Sequence, residues 1–309
     1  MSREKAVEVH NQKKSYDSLK AVDGISFYVK KGQVFTLLGP NGAGKTTTIE
    51  ILQGLKTADS GRLKFFGREI ERIGRQEKEE IGVLLQRTNY IEKIKVREML
   101  GMFRSFYNKS RILEAADILE RIELQDKSDD YVENLSGGQQ QRLAIGLALI
   151  NDPRILFLDE PTTGLDPQAR RNLWDLIEDL KAEGKTIFLT THYMDEAEKL
   201  SDYVYIMDRG RIIASGSPEE LIEELGQDNV VEFAHNGLSK TALEELKASY
   251  PDLNLTEESI SIYVTSLTEA LIRLTAWAEA GDFKFDNLKI RRPNLEDVFL
   301  ELTGRGLRD

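Results

Sequence analysis

The run GPNGAGKTT, Gly39 to Thr47, satisfies G-x-x-x-x-G-K-[ST], follows the apolar segment QVFTLL (Gln33 to Leu38) and opens into the helix-like TIEIL. That strand–loop–helix setting separates a phosphate cradle from an ordinary glycine-rich turn. Glycines let successive backbone N–H groups curl around phosphate oxygens with no Cβ in the way, and the helix N-terminus adds the positive end of its dipole. In such a loop Lys45 reaches the β- and γ-phosphates of a nucleoside triphosphate, and Thr46 ligates magnesium.

Two further apolar segments end in groups that can do chemistry. RILFLDE places Asp159 and Glu160 at a strand end, and TIFLTTH does the same for His192. In open α/β sheets ligands bind beyond the carboxyl ends of the strands, so these groups and the phosphate loop can converge on one crevice. Asp159 is then the natural partner of magnesium, directly or through water. Glu160, one residue on, can face the water that attacks the γ-phosphate. His192 can hydrogen-bond the γ-phosphate and hold Glu160 and water in line. Acidic residues also end strands merely by facing solvent, and a lone histidine is more often structural. Three chemical groups at three buried strand ends weigh against both alternatives. A second nest, LSGGQQQR (Leu135 to Arg142), pairs a candidate helix cap, Ser136, with Gly137 and Gly138, which allow an anion close to exposed N–H groups. One nucleotide hardly needs two nests.

The elements that must position these groups are legible as short β-branched and apolar runs: 25–29, 33–38, 81–85, 154–158, 186–190, 203–207 and 211–215. The runs at Gln33, Arg154 and Thr186 barely alternate with polar residues, as strands buried on both faces do. Helical patterns lie between them. Pro167 to Glu183 carries Leu173, Leu176, Ile177 and Leu180 at helical spacing, with Asp166 as a cap, Pro167 at the first position and Gly184 at the end. Strands alternating with helices predict an α/β fold. The stretch 89–151 is mostly helical, most periodic over Arg111 to Ile122, and is expected to be an insert in the core. After about Gln227 a second unit reads strand, helix, strand, strand, helix, strand, helix, a small β-α-β-β-α-β arrangement of α+β type. The expected domains are 1–226 and 227–309.

The chain has 309 residues, 40% of them hydrophobic and 31% charged, and no cysteine. That is a folded composition, and disulfide and thiol chemistry are excluded. No apolar run approaches the ~20 residues that span a bilayer, and the opening MSREKAVEVHNQKK has no apolar stretch to serve as a secretory signal. A cytoplasmic location is expected. A net charge of -11 argues against a nucleic-acid partner, and none is expected.

GPNGAGKTT, the glutamine of VLLQ (Gln86), LSGGQ, ILFLDEP, GLDP and TTHYMDEAE occur in that order over about Val7 to Leu225. In this the chain resembles the nucleotide-binding subunits of ATP-binding cassette (ABC) transporters. The resemblance implies a P-loop NTPase (RecA-like) core with an antiparallel β subdomain and a helical insert. It implies ATP and Mg2+ as ligands. Tyr16 matches the aromatic that stacks on adenine. Gly39, Asn41, Gly42, Gly44, Lys45, Thr46 and Thr47 match the phosphate loop, and Gln86 the glutamine that senses magnesium and attacking water. Ser136, Gly137, Gly138 and Gln139 match the signature that binds a partner's ATP. Asp159 and Glu160 match the magnesium-site aspartate and the catalytic base, Asp166 the loop touching the opposite protomer, and His192 the switch histidine. None of these positions departs from the family pattern, which implies an active ATPase. Each motif occurs once, so two composite sites need a second nucleotide-binding subunit.

TTHYMDEAE and the closing RRPNLEDVFLELTGRG resemble the group serving drug, antibiotic, polysaccharide or sodium exporters, in which the transmembrane permease is usually a separate polypeptide. The implied protein is a motor peripheral on the cytoplasmic face of the membrane, with its permease docking near Gln86 to Tyr107. Two other readings stay open on sequence alone. A non-transport cassette ATPase of translation or DNA metabolism usually carries tandem cassettes, long coiled coils or zinc clusters, none of which the sequence displays. An ATP-gated scaffold would use the C-terminal domain to bind a regulator.

Overall fold

The computed structural model describes residues 4–84, 93–107, 112–235, 238–251, 253–256, 259–281 and 283–303. One compact unit runs to Pro218 and a second begins at Glu219. In chain order the first contains β1 (Lys5–Tyr16), β2 (Leu19–Lys30), β3 (Val34–Leu38), α1 (Lys45–Leu52), β4 (Ser60–Phe65), β5 (Arg68–Ile70), α2 (Arg75–Lys78) and β6 (Ile81–Leu84). Three helices follow, α3 (Val96–Arg104), α4 (Ala115–Arg121) and α5 (Gly137–Leu149). Then come β7 (Ile155–Asp159), α6 (Pro167–Ala182), β8 (Thr186–Thr191), α7 (Met194–Leu200), β9 (Tyr203–Asp208) and β10 (Arg211–Gly216).

The central sheet has the order β10-β9-β3-β8-β7-β6. Its β9, β3, β8, β7 and β6 are parallel and β10 is antiparallel. Every residue of β3, β7 and β8 is buried, which is why their sequences are continuous apolar runs rather than alternating ones. One face of the sheet packs against the helices. Leu143, Ile145, Leu173, Ile177 and Ile118 meet Leu156, Leu158 and Leu189 there. The other face carries Phe35, Phe157 and Phe188, with Phe27 of β2 stacked 5.4 Å from Phe35.

That second face is covered by an antiparallel sheet of order β2-β1-β4-β5. The sequence KAVEVHNQKKSY of β1 shows no apolar run because only part of it faces the core. Ala6, Val7 and Val9 are buried while the lysines and Glu8 lie toward solvent. A search for apolar runs therefore passes over β1, β4 and β5.

The helix starts follow their local chemistry. Asp166 Oδ1 accepts the N–H groups of Gln168 and Ala169, each at 2.9 Å, and Pro167 occupies the first helical position of α6. Ser136 forms a reciprocal capping box on α5: its Oγ accepts Gln139 N–H at 3.3 Å, and Gln139 Oε1 accepts Ser136 N–H at 2.9 Å.

The second unit takes in all of α8 (Pro218–Glu223) but its first residue. It continues with β11 (Asn229–Ala234), α9 (Lys240–Ser249), β12 (Asn254–Leu255), β13 (Ser259–Val264), α10 (Leu267–Ala280), β14 (Asp286–Arg291) and α11 (Leu295–Thr303). Its sheet has the order β12-β13-β11-β14 and is antiparallel throughout. Val231, Phe233, Ile260 and Ile262 pack with Leu246 and Leu274 of the two longer helices. A buried polar knot involves α11: Asp297 takes Arg291 Nη1 at 2.6 Å, Arg291 Nη2 at 2.8 Å and the Tyr263 hydroxyl at 2.8 Å. Asp297→Ala would take two charge-assisted bonds from the Arg291 guanidinium and leave it Glu232, 3.5 Å away, as an acidic partner. The expected loss is about 2 kcal/mol in the stability of this unit, to be read by urea unfolding followed through Trp277 emission in a Trp174→Phe background.

Candidate nucleotide site

The chemical strand ends lie side by side because β3, β8 and β7 are neighbours in register. Leu38 stands opposite Thr191, and Thr190 opposite Asp159. Adjacent strands are about 4.8 Å apart, so three ends span about 10 Å, the scale of a triphosphate.

The loop leaving β3 enters α1 through Gly44, whose φ of 103° lies where glycine is favoured. A Cβ on Gly39 would stand 2.1 Å from Met207 O, and one on Gly44 would stand 2.2 Å from Ala21 O. Backbone from β9 and β2 thus walls the loop on two sides. Lys45 is buried and donates from Nζ to Gly39 O at 2.7 Å and Pro40 O at 3.1 Å. Burial pulls its pKa down, opposed by the Glu160 and Asp159 carboxylates nearby. Asn41, Gly42 and Thr46 are exposed and Thr47 is half-buried.

Asp159 closes β7 in a buried position, and burial pushes its carboxyl pKa up against the opposing effect of a hydrogen bond donated by Thr190 Oγ1. The same Oγ1 accepts Glu160 N–H at 3.1 Å. One hydroxyl on β8 therefore fixes both consecutive acidic residues. Glu160 is held at φ 47°, an uncommon conformation for a residue with a side chain. Thr163 Oγ1 donates to its Oε2 at 3.3 Å, and His192 Nδ1 stands 3.3 Å from its Oε1. Neither the phosphate-loop motif nor strand periodicity points to Thr190; the only signal is a hydroxyl at the end of an otherwise apolar strand. Thr190→Val removes that donor while keeping the volume. It is expected to cost about 2 kcal/mol of stability, measured by chemical denaturation.

The remaining expected residues fall elsewhere on the first unit. Tyr16 ends β1, and the Lys14 and Lys56 ammonium groups lie 5.6 and 5.1 Å from its ring centre. Lys56 also bonds Glu50 of α1 at 2.7 Å, which ties Tyr16 to the helix that follows the loop. The Ser136–Gln139 turn packs toward the start of α6, where a Cβ on Gly138 would stand 2.8 Å from Ala169 Cβ. Asp166 caps that same helix. Among the described residues no hydrogen bond joins the Ser136–Gln139 turn to the Gly39–Thr47 loop. Lys45, Asp159, Glu160 and His192 thus gather at one place, and Ser136, Gly137, Gly138, Gln139 and Asp166 at another. Gln86 lies outside the described residues.

A parallel sheet with a phosphate loop at the end of β3 defines a P-loop nucleotide-binding ATPase. A family model described as ABC transporter matches residues 22–163. Over 99% of both chains the protein is 41% identical to the Nod factor export ATP-binding protein I of Paraburkholderia xenovorans. It is 36% identical to the linearmycin resistance ATP-binding protein LnrL of Bacillus subtilis, over 98% of this chain and all of the other. A solved dimer of the ATP-binding cassette MJ0796 with ADP and Pi superposes with a TM-score of 0.61 at 25% identity, covering 68% of this chain and 98% of that one. The chain belongs to the ATP-binding subunits of ABC transporters, in the exporter-type group. It binds and hydrolyses ATP, and cassettes of this family work as dimers with transmembrane components.

Proposed function

We propose that this chain is the ATP-hydrolysing motor of an export system, sandwiching two ATP molecules with a second nucleotide-binding subunit and driving a transmembrane permease carried on a separate polypeptide. What supports this most directly is the meeting of Lys45, Asp159, Glu160 and His192 at three adjacent strand ends, with the Ser136 nest facing a different neighbourhood. A nest without a phosphate of its own in the same chain fits a nucleotide offered by a partner.

Within one site Lys45 and the N–H groups of Gly39–Thr47 hold the β- and γ-phosphates, and Tyr16 stacks on adenine. Glu160 orients water and takes its proton as the oxygen–phosphorus bond forms in line and the β–γ bridge breaks; His192 steadies Glu160. Asp166 and the Ser136–Gln139 turn meet the partner's nucleotide across the dimer. Magnesium fits the donors present. Thr46 offers an exposed hydroxyl, and Asp159 is a buried carboxyl whose charged form burial disfavours, the situation a cation relieves. Bound there, the ion would neutralise developing phosphate charge. The resemblance assigns Gln86 to sensing the same ion.

No helix among the described residues is long and apolar enough to cross a membrane; in this reading the membrane path is the permease's. The motor then sits on the cytoplasmic face, docked through the region Gln86 to Tyr107. Relatives named for Nod factor export and for linearmycin resistance support export as the direction of transport here.

Light scattering tests the dimer. With ATP and magnesium the mass of Glu160→Gln doubles, and Gly138→Arg added to that variant keeps it monomeric. A monomer under both conditions would falsify the sandwich.

A further inference from the structure

The turn bearing His192 and the loop following Glu160 come from different strands, and one side chain reaches both. Glu196, in the first turn of α7, has no solvent exposure. Its Oε1 accepts Trp174 Nε1–H of α6 at 3.2 Å. The buried hydroxyls of Thr191 and Thr162 face the same carboxyl. Thr191 immediately precedes His192, and its Oγ1 accepts Tyr193 N–H at 2.9 Å, shaping that turn. Thr162 lies two residues past Glu160 and four before Asp166, and α6 is the helix Asp166 caps.

The junction is one hydrogen bond short. Glu196 Oε2 and Thr162 Oγ1 are both buried, and neither is aligned with a partner. Buried oxygens left unpaired are costly, so a small shift that aligns this pair is favoured once something else positions the loop. We propose that Glu196 is a positioning residue: closure of the nucleotide sandwich completes its bond to Thr162 and locks the Glu160 loop, the His192 turn and α6 into one body. Burial pushes the Glu196 carboxyl toward its neutral form, which carries a proton able to make that bond. This rests on the roles given above to Glu160 and His192.

The test uses the purified full chain. Glu196→Leu fills the space without an acceptor, Thr162→Val removes the facing hydroxyl, and Glu196→Gln keeps both an acceptor and a donor. E196L and T162V are each expected to lower kcat for ATP at least about tenfold with KM changed less than about threefold, while E196Q stays within about threefold in kcat. Because the chain has two tryptophans, Trp277→Phe isolates Trp174. In that background, with Glu160→Gln present, ATP shifts the Trp174 emission, and T162V abolishes the shift. T162V with parental kcat and an unchanged emission shift overturns the proposal, even where E196L does not fold. Normal hydrolysis by Glu160→Gln alone would sink the assignment of the base instead, and the emission arm, run with a non-hydrolysable ATP analogue and Glu160 intact, would still judge the junction.

Discussion

Glu160→Gln retains ATP binding and loses hydrolysis by about two to three orders of magnitude, the range over which a positioned base contributes. The substitution keeps the length and shape of the side chain. An amide oxygen can still accept the Thr163 hydroxyl bond, and His192 still has a neighbour at 3.3 Å. Only the capacity to take a proton is gone. Backbone strain makes a useful control. Position 160 sits at φ 47°, so Glu160→Gly removes the base and also relieves a left-handed conformation that costs a side-chain-bearing residue about 1–2 kcal/mol. The glycine variant is therefore expected to be inactive yet at least as stable as the parent. Phosphate release under saturating ATP, together with a thermal melt, checks both halves. A glutamine variant that turns over at more than about a tenth of the parental rate would move the base elsewhere.

Lys45→Ala has its largest effect on binding. The ammonium of Lys45 is satisfied by two carbonyls of its own loop, Gly39 O and Pro40 O, and burial already disfavours its charge. Removing it therefore takes little from the fold of the free protein. ATP loses two charge-assisted bonds worth about 1.5–3 kcal/mol each, weakening its dissociation constant by about 10² to 10⁴-fold. Calorimetric titration with ATP measures that loss, and an unfolding midpoint within a few degrees of the parent separates it from misfolding. A variant that binds ATP within about tenfold of the parent would show that the N–H groups of the loop carry the phosphate without the side chain.

Local features of the site are readable from spacing alone because their physics is local. A cap reaches two or three residues ahead, so Asp166 and Ser136 declare α6 and α5 without reference to tertiary structure. Strands buried on both faces announce themselves likewise, as in ILFLD and TIFLTT. What spacing does not carry is register. That Thr190 faces Asp159 depends on how β8 lies against β7, and nothing in either segment specifies it. Glu196 is hidden for a related reason. An acidic residue in MDEAEKL looks solvent-facing until α6 and the Thr162 loop close over it. The half-exposed β1 escapes notice because its lysines break every apolar run.

The obstacle to a side chain at position 39 is a main-chain oxygen, Met207 O. Every amino acid at 207 would present that same atom, so no replacement there can make room. Variants of Gly39→Ala screened for restored ATP hydrolysis should accordingly return to glycine rather than compensate at 207. At this spot the main chain itself leaves room for a hydrogen and for nothing larger.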